Sequence, residues 1–201
     1  MAPQSPSSPR SRRNLGPIDF LINNAGRSRI GPVVAEDEDL DLWWGTYELN
    51  VRAPVAMVRA ALPGMIERKK GIVLTISSGV NSMALPVMTA YASSKAAITK
   101  FHELLQIELE GTGVDSFSVC PGIVGSTELG KADSVRNTDP AALNHPATQQ
   151  FMNMIKTRTV SGDVELSADT VVAVCADPRY RAMRGIFIIS GENQEPILDE
   201  I

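Results

Sequence analysis

With 201 residues, 43% of them hydrophobic, the chain can bury a single core of ordinary size. Its formal charge of −4 gives no basis for holding nucleic acid or an anionic membrane surface, and no apolar run approaches the ~20 residues of a membrane span. Cys120 and Cys175 sit in apolar stretches and read as reduced core thiols rather than a disulfide or a nucleophile, which fits a cytoplasmic location.

Residues 1–17 carry four prolines, four serines, three arginines and no acid. Such a segment cannot bury enough apolar surface to fold, so a disordered tail is expected, with the folded unit spanning 18–201. Ile18 to Ile22 is a short apolar run read as a strand, and the polar turn Asn23-Asn24-Ala25-Gly26 follows at once. The acids from Glu36 to Asp41 read as a solvated face and as charge at a helix N-terminus, not as a metal site.

Val51, Val55, Val58, Leu62 and Ile66 form a helical stripe. Pro54 lacks the N–H that would close the helical bond to the Asn50 carbonyl. Either that carbonyl is kept available to water, or the proline makes an incidental kink.

From Gly71 to Lys95 the chain holds its most informative stretch. Ile72 to Ile76 is rich in β-branched residues, reads as a buried strand and ends at Ser77-Ser78-Gly79. After Pro86 the pattern turns helical, and Tyr91 and Lys95 fall four apart on one face. A phenol titrates near pH ~10 alone, and a neighbouring ammonium lowers that value by favouring the phenolate. A serine hydroxyl can then hold a substrate oxygen while the phenol gives or takes its proton.

Ile98, Phe101, Leu105 and Leu109 continue that helix, and Gly111 and Gly113 stop it. His102 and His145 are expected at the surface. Val114 to Val119 reads as another strand, followed by the loop from Cys120 to Thr127. Glu128 to Asp163 is polar with little periodicity. Ser167 and Asp169 make a helix start for Thr170 to Ala176, and Gly185 to Ile189 is the last strand candidate.

Ser78, Tyr91-Ala92-Ser93-Ser94-Lys95, Asn23-Asn24-Ala25-Gly26, Asn50 and Pro121-Gly122 together resemble the short-chain dehydrogenase/reductase pattern, most like fungal members. They stand in that family's order, with Tyr91 thirteen positions after Ser78. The resemblance implies an α/β fold, a three-layer Rossmann-type parallel sheet. It implies Ser78, Tyr91, Lys95 and Asn50 as catalytic residues. Asn24, Gly26, Arg59, Tyr91, Lys95, Val124 and Ser126 fall to the cofactor, NADP or NAD, with a surface role as the other reading of Arg59. The expected substrate is a small-molecule carbonyl or alcohol, by analogy with secondary metabolism. The helix carrying Tyr91 either packs on its copy in a homodimer or only covers the sheet.

One family feature is missing. No glycine-rich GxxxGxG turn precedes Gly26, so the expected sheet lacks its N-terminal strands and the pyrophosphate cradle they carry. An oxidoreductase is the first reading. The alternative is an inactive fragment that binds a partner through the sheet edge left open at Ile18 to Ile22.

Overall fold

The structure, a computed structural model, describes residues 16–36, 40–122, 124, 129, 140–156 and 164–190. The expected tail falls outside these residues except for its last two positions, as do Ser126 and much of the polar segment 128–163.

Four parallel strands form one sheet: β1 (Phe20–Asn23), β2 (Gly71–Ile76), β3 (Val114–Cys120) and β4 (Phe187–Ile189), in that spatial order. Phe20 pairs with Ile72, Ile72 with Asp115, and Ser118 with Phe187. Because side chains alternate across a strand, each strand feeds two different layers. Ile72, Leu74, Ile76, Phe117, Val119 and Ile188 point to one face. There they pack against Val171 and Val174 of helix α6 (Val164–Ala176) and against Tyr180 and Met183 of a 3-10 turn. Val73 and Val114 point to the other face, against Val58, Ala61 and Met65 of α2 (Ala53–Arg68) and Leu105 and Leu109 at the end of α3 (Thr89–Glu108). Helices on both faces make this a three-layer Rossmann-type α/β fold.

The run from Asp41 to Arg68 is one helical rod in three pieces: α1 (Asp41–Tyr47), a π turn (Glu48–Arg52) and α2. Ala53 donates its N–H to the Glu48 carbonyl five residues back, which is the π register. Pro54 then stands in the first turn of α2, where its missing N–H costs little. The interruption expected near Asn50 is therefore a widened turn rather than a simple bend. The buried face of α2 is Pro54, Val58, Ala61 and Met65, rotated from the expected stripe. Val55 and Leu62 are half-buried and Ile66 is exposed, because this helix carries a second apolar face.

The α3 helix ends where expected, at Gly111 (φ 74°) and Gly113 (φ 77°). At Gly113 glycine is obligatory, since a Cβ would stand 2.4 Å from the Lys69 carbonyl oxygen. Two expectations are corrected downstream. Within the polar segment lie two helices, α4 (Pro140–Asn144) and α5 (Pro146–Lys156), each opened by a proline. And α6 begins at Val164, so Ser167 lies inside its first turns and donates its hydroxyl to the Pro121 carbonyl at 2.7 Å instead of capping. At the edge strand β1, Phe20 (49% exposed) and Ile22 (45%) remain open on the face they share with Ile72 and Leu74, and no strand pairs beyond β1 among the described residues.

Candidate active site

The carboxyl ends of β2 and β3 and the first turns of α3 meet at one place. Ser78 follows β2 directly and opens a 3-10 turn, its Oγ accepting the Val80 N–H at 3.5 Å. Its side chain stands near the phenol of Tyr91 and favours the ionised form of that phenol. One helical turn on, Lys95 places Nζ 5.8 Å from the centroid of the Tyr91 ring and donates to the Ile76 carbonyl at 2.7 Å. Tyr91 is 7% exposed and Lys95 3%. Cys120 ends β3 beside them, its Sγ accepting the Gly122 N–H at 3.4 Å.

The electrostatics differ from the expectation in one respect. Burial dominates at Tyr91 and raises its pKa, partly offset by the neighbouring Ser78, while Cys120 beside it acts in the raising direction. The expected lowering by Lys95 is not what governs the phenol: the ammonium is aimed at the Ile76 carbonyl, and burial is the largest influence. Burial also brings Lys95 down to about 8, with Cys120 opposing.

Asn50 sits buried in the π turn and is fully engaged. Its Nδ2 donates to the Arg27 carbonyl and to Ser94 Oγ, both at 2.9 Å, and its Oδ1 accepts the Arg27 N–H at 2.9 Å. The side chain thus fastens the loop after β1 to α3. Gly26 lies on that loop, and a Cβ there would reach 3.4 Å from both Asn50 Oδ1 and Lys95 Nζ. Asn24 is exposed on the same loop, and Val124 is half-buried in the loop leaving β3.

Arg59 does not join them. It is exposed on the outer side of α2, in a groove of about 290 Å³ with Val55, Leu62, Phe101 and Leu105. Its position on α2, well past the π turn, turns it away from the strand ends, which corrects the cofactor assignment.

Three further corrections concern side chains expected at the surface. His102 is fully buried, with Nδ1 2.8 Å from Ser116 Oγ and Nε2 2.6 Å from Thr75 Oγ1. It follows Lys95 by seven residues, two helical turns, and so shares the sheet-facing side of α3. Glu36 is not solvated, for its side chain is 1% exposed and accepts from Arg29 Nε at 2.9 Å. His145 is half-buried, and its Nδ1 accepts the Ala147 N–H at 3.2 Å.

Ser94, Arg27, Ser77 and Thr99 were given no role from sequence, and Cys120 was read only as a reduced core thiol. Only Ser94 carried a signal, lying between Tyr91 and Lys95. Around the Tyr91 ring stand Val87, Met88 and Phe151, with Ile30, Val80, Leu85, Met152 and Met154 against them. No group of three or more potential metal ligands is assembled among the described residues.

The short chain dehydrogenase profile matches residues 8–137, well over half the chain. The chain belongs to the short-chain dehydrogenase family. It is 49% identical over 186 residues to a short chain dehydrogenase of Pseudocercospora fijiensis, covering 92% of this chain and 59% of that protein. It is 32% identical over 130 residues to inactive 2-(S)-hydroxypropyl-CoM dehydrogenase 2 of Xanthobacter autotrophicus, covering 65% of this chain and 56% of that protein. Among solved structures, a short-chain dehydrogenase from Streptomyces avermitilis superposes with a TM-score of 0.68 at 26% identity, over 95% of this chain and 66% of that one. A gluconate 5-dehydrogenase from Burkholderia cenocepacia, in complex with NADP and tartrate, superposes with a TM-score of 0.69 at 21% identity, over 90% of this chain and 66% of that one. The chain thus spans less than two thirds of the length of these relatives.

Proposed function

We propose that this chain carries the catalytic half of an NADP- or NAD-dependent oxidoreductase that interconverts a carbonyl and a secondary alcohol on a small molecule. The observation that carries the reading is the buried Tyr91–Lys95 pair, Nζ 5.8 Å from the ring centroid, beside Ser78 at the carboxyl rim of the sheet. The residues present fit the nicotinamide–ribose end of the cofactor. Gly26 leaves backbone close to Lys95, and Asn24 is exposed on the same loop.

The bound cofactor supplies or accepts the hydride, and the protein supplies orientation and electrostatics. Ser78 Oγ positions the substrate oxygen. The Tyr91 hydroxyl, a protonated phenol at neutral pH whose pKa burial raises further, passes its proton to that oxygen in reduction and takes it back in oxidation. Lys95 holds a positive charge beside the phenol and offers Nζ to the ribose. Asn50 fixes the loop that carries Gly26.

Titrating the protein with NADPH and NADH, followed by nicotinamide fluorescence, tests the cofactor assignment. Turnover of a carbonyl panel by wild type and Tyr91→Phe tests the chemistry. Micromolar binding that Y91F keeps, with a turnover loss of about 10²-fold or more, supports it. Absence of binding, or a Y91F variant as active as wild type, overturns it.

A second reading draws on the open β1 edge, where Phe20 and Ile22 are exposed, and on the relative named inactive. There the chain binds a protein partner by strand addition and does no chemistry. Failure of both nucleotides to bind, with a partner interaction lost in Ile22→Lys, distinguishes it. In either case the groove between α2 and α3 is the face through which a homodimer would pack, which sedimentation equilibrium reports.

A further inference from the structure

We propose that His102 is a positioning residue, whose neutral Nδ1–H imidazole ties three strands together and thereby sets where the Lys95 ammonium sits.

The donors and acceptors around the ring allow one assignment. Asn23 Nδ2 donates to Thr75 Oγ1 at 3.2 Å. An amide nitrogen cannot accept, so the Thr75 hydrogen is left for His102 Nε2, 2.6 Å away. Nε2 must then be the unprotonated nitrogen. On the other side, Ser116 Oγ donates to the His102 carbonyl at 3.2 Å. Its one hydrogen is spent there, so at 2.8 Å it accepts from Nδ1–H. The chain runs Asn23 to Thr75 to His102 to Ser116, with each hydrogen placed, crossing from β1 through β2 and α3 to β3. The opposite tautomer strands the Thr75 hydrogen in a buried site, at a cost typical of an unmade hydrogen bond.

The two strand residues held on the Asn23–Thr75 side each precede a contact of Lys95. Thr75 is followed by Ile76, whose carbonyl takes Nζ at 2.7 Å. Asn23 opens the turn to Gly26, where a Cβ would come within 3.4 Å of Nζ. Fixing Thr75 and Asn23 to one imidazole therefore fixes both surfaces that bracket the ammonium. The other ionisable groups at Lys95 are Tyr91 and Cys120, and burial is the one influence named on His102. The functional meaning rests on the reading of Lys95 as the cation of the active site. The measurements below need no turnover, so they decide the inference even for a chain without activity.

The test is nitrogen-15 NMR of the imidazole at neutral pH, with His102→Leu, His102→Gln and Thr75→Val compared with wild type. The Nδ1-protonated signature is expected. H102L should lower the Lys95 titration midpoint by about one pH unit, through loss of a well-placed carbonyl acceptor, and speed amide exchange at Asn24–Gly26 about tenfold. H102Q should restore both, its carbonyl accepting from Thr75 and its NH₂ donating to Ser116. T75V keeps the ring and the shape of the threonine while deleting the link, so it should reproduce H102L, and it replaces H102L if that variant does not fold. An Nε2-protonated ring overturns the proposal. So does a folded H102L or T75V whose Lys95 midpoint and loop exchange match wild type.

Discussion

The two faces of the sheet are built from opposite materials. Towards α6 the strands present Ile72, Leu74, Ile76, Phe117, Val119 and Ile188, a mainly apolar surface with polar contacts only at its margins, Asp115 to Arg181 and Ser167 to the Pro121 carbonyl. Towards α3, after Val73 and Val114, they present Thr75, Ser77, Ser116 and Ser118, all buried. The helix answers with Lys95, Thr99, His102 and Gln106, a polar row at helical spacing. Ser77 and Thr99 share a hydrogen bond at 2.6 Å, and Gln106 Oε1 accepts the Ser116 N–H at 2.8 Å. Apolar contact tolerates some sliding between layers, while a row of directional bonds does not. The face that leads to Tyr91 and Lys95 is thus the one with its register pinned.

The sharpest way to break this contrast is Phe117→Ala on the apolar face. The ring is fully buried, so its loss should cost about 4 kcal/mol in urea unfolding, with the spectral signature of the α3 side intact until the cooperative transition. On the polar face the largest effect comes from pH. Burial lowers the His102 pKa from 6.5 to about 4. Between those values the unfolded chain binds a proton that the folded chain refuses. Stability is therefore full above pH 6.5 and falls as pH drops through 4, by about 3 kcal/mol in total. Denaturation midpoints across that window should slope less in H102Q than in wild type. An equal slope in both would remove the histidine from the account. The smallest effect has the opposite sign. Ser118 Oγ is buried with no hydrogen-bond partner among the described residues, so Ser118→Ala should be neutral or gain up to about 1 kcal/mol. A large loss there would show that the hydroxyl has work that its surroundings do not display.

The same contrast explains what could be read from the amino-acid order. β2 and β3 are short apolar runs, Tyr91 and Lys95 share a helical face, and the stop at Gly111 and Gly113 follows from their conformational freedom. These are local signals. His102 was misplaced because a histidine amid charged neighbours looks solvated, although positions 95, 99, 102 and 106 repeat with the helical period. Glu36 was misplaced because its partner, Arg29, lies in a loop where no period guides pairing. The α2 stripe was rotated because two apolar faces on one helix, one to the sheet and one to a groove, merge into a single broad arc. Asn50 was legible as a position, but its grip on Arg27 depends on a loop 23 residues earlier in the chain.

The widened turn at Glu48–Arg52 has a consequence for chain length. It accommodates one residue more than an α-helix of the same rise, so α1 and α2 are out of phase by roughly one hundred degrees compared with an unbroken rod. Deleting a single residue there would let the rod close into continuous α-helix. Either Asn50 or the whole inner side of α2 would then have to swing round the axis. Shortening the rod by one residue there would therefore unhook the loop that Asn50 holds.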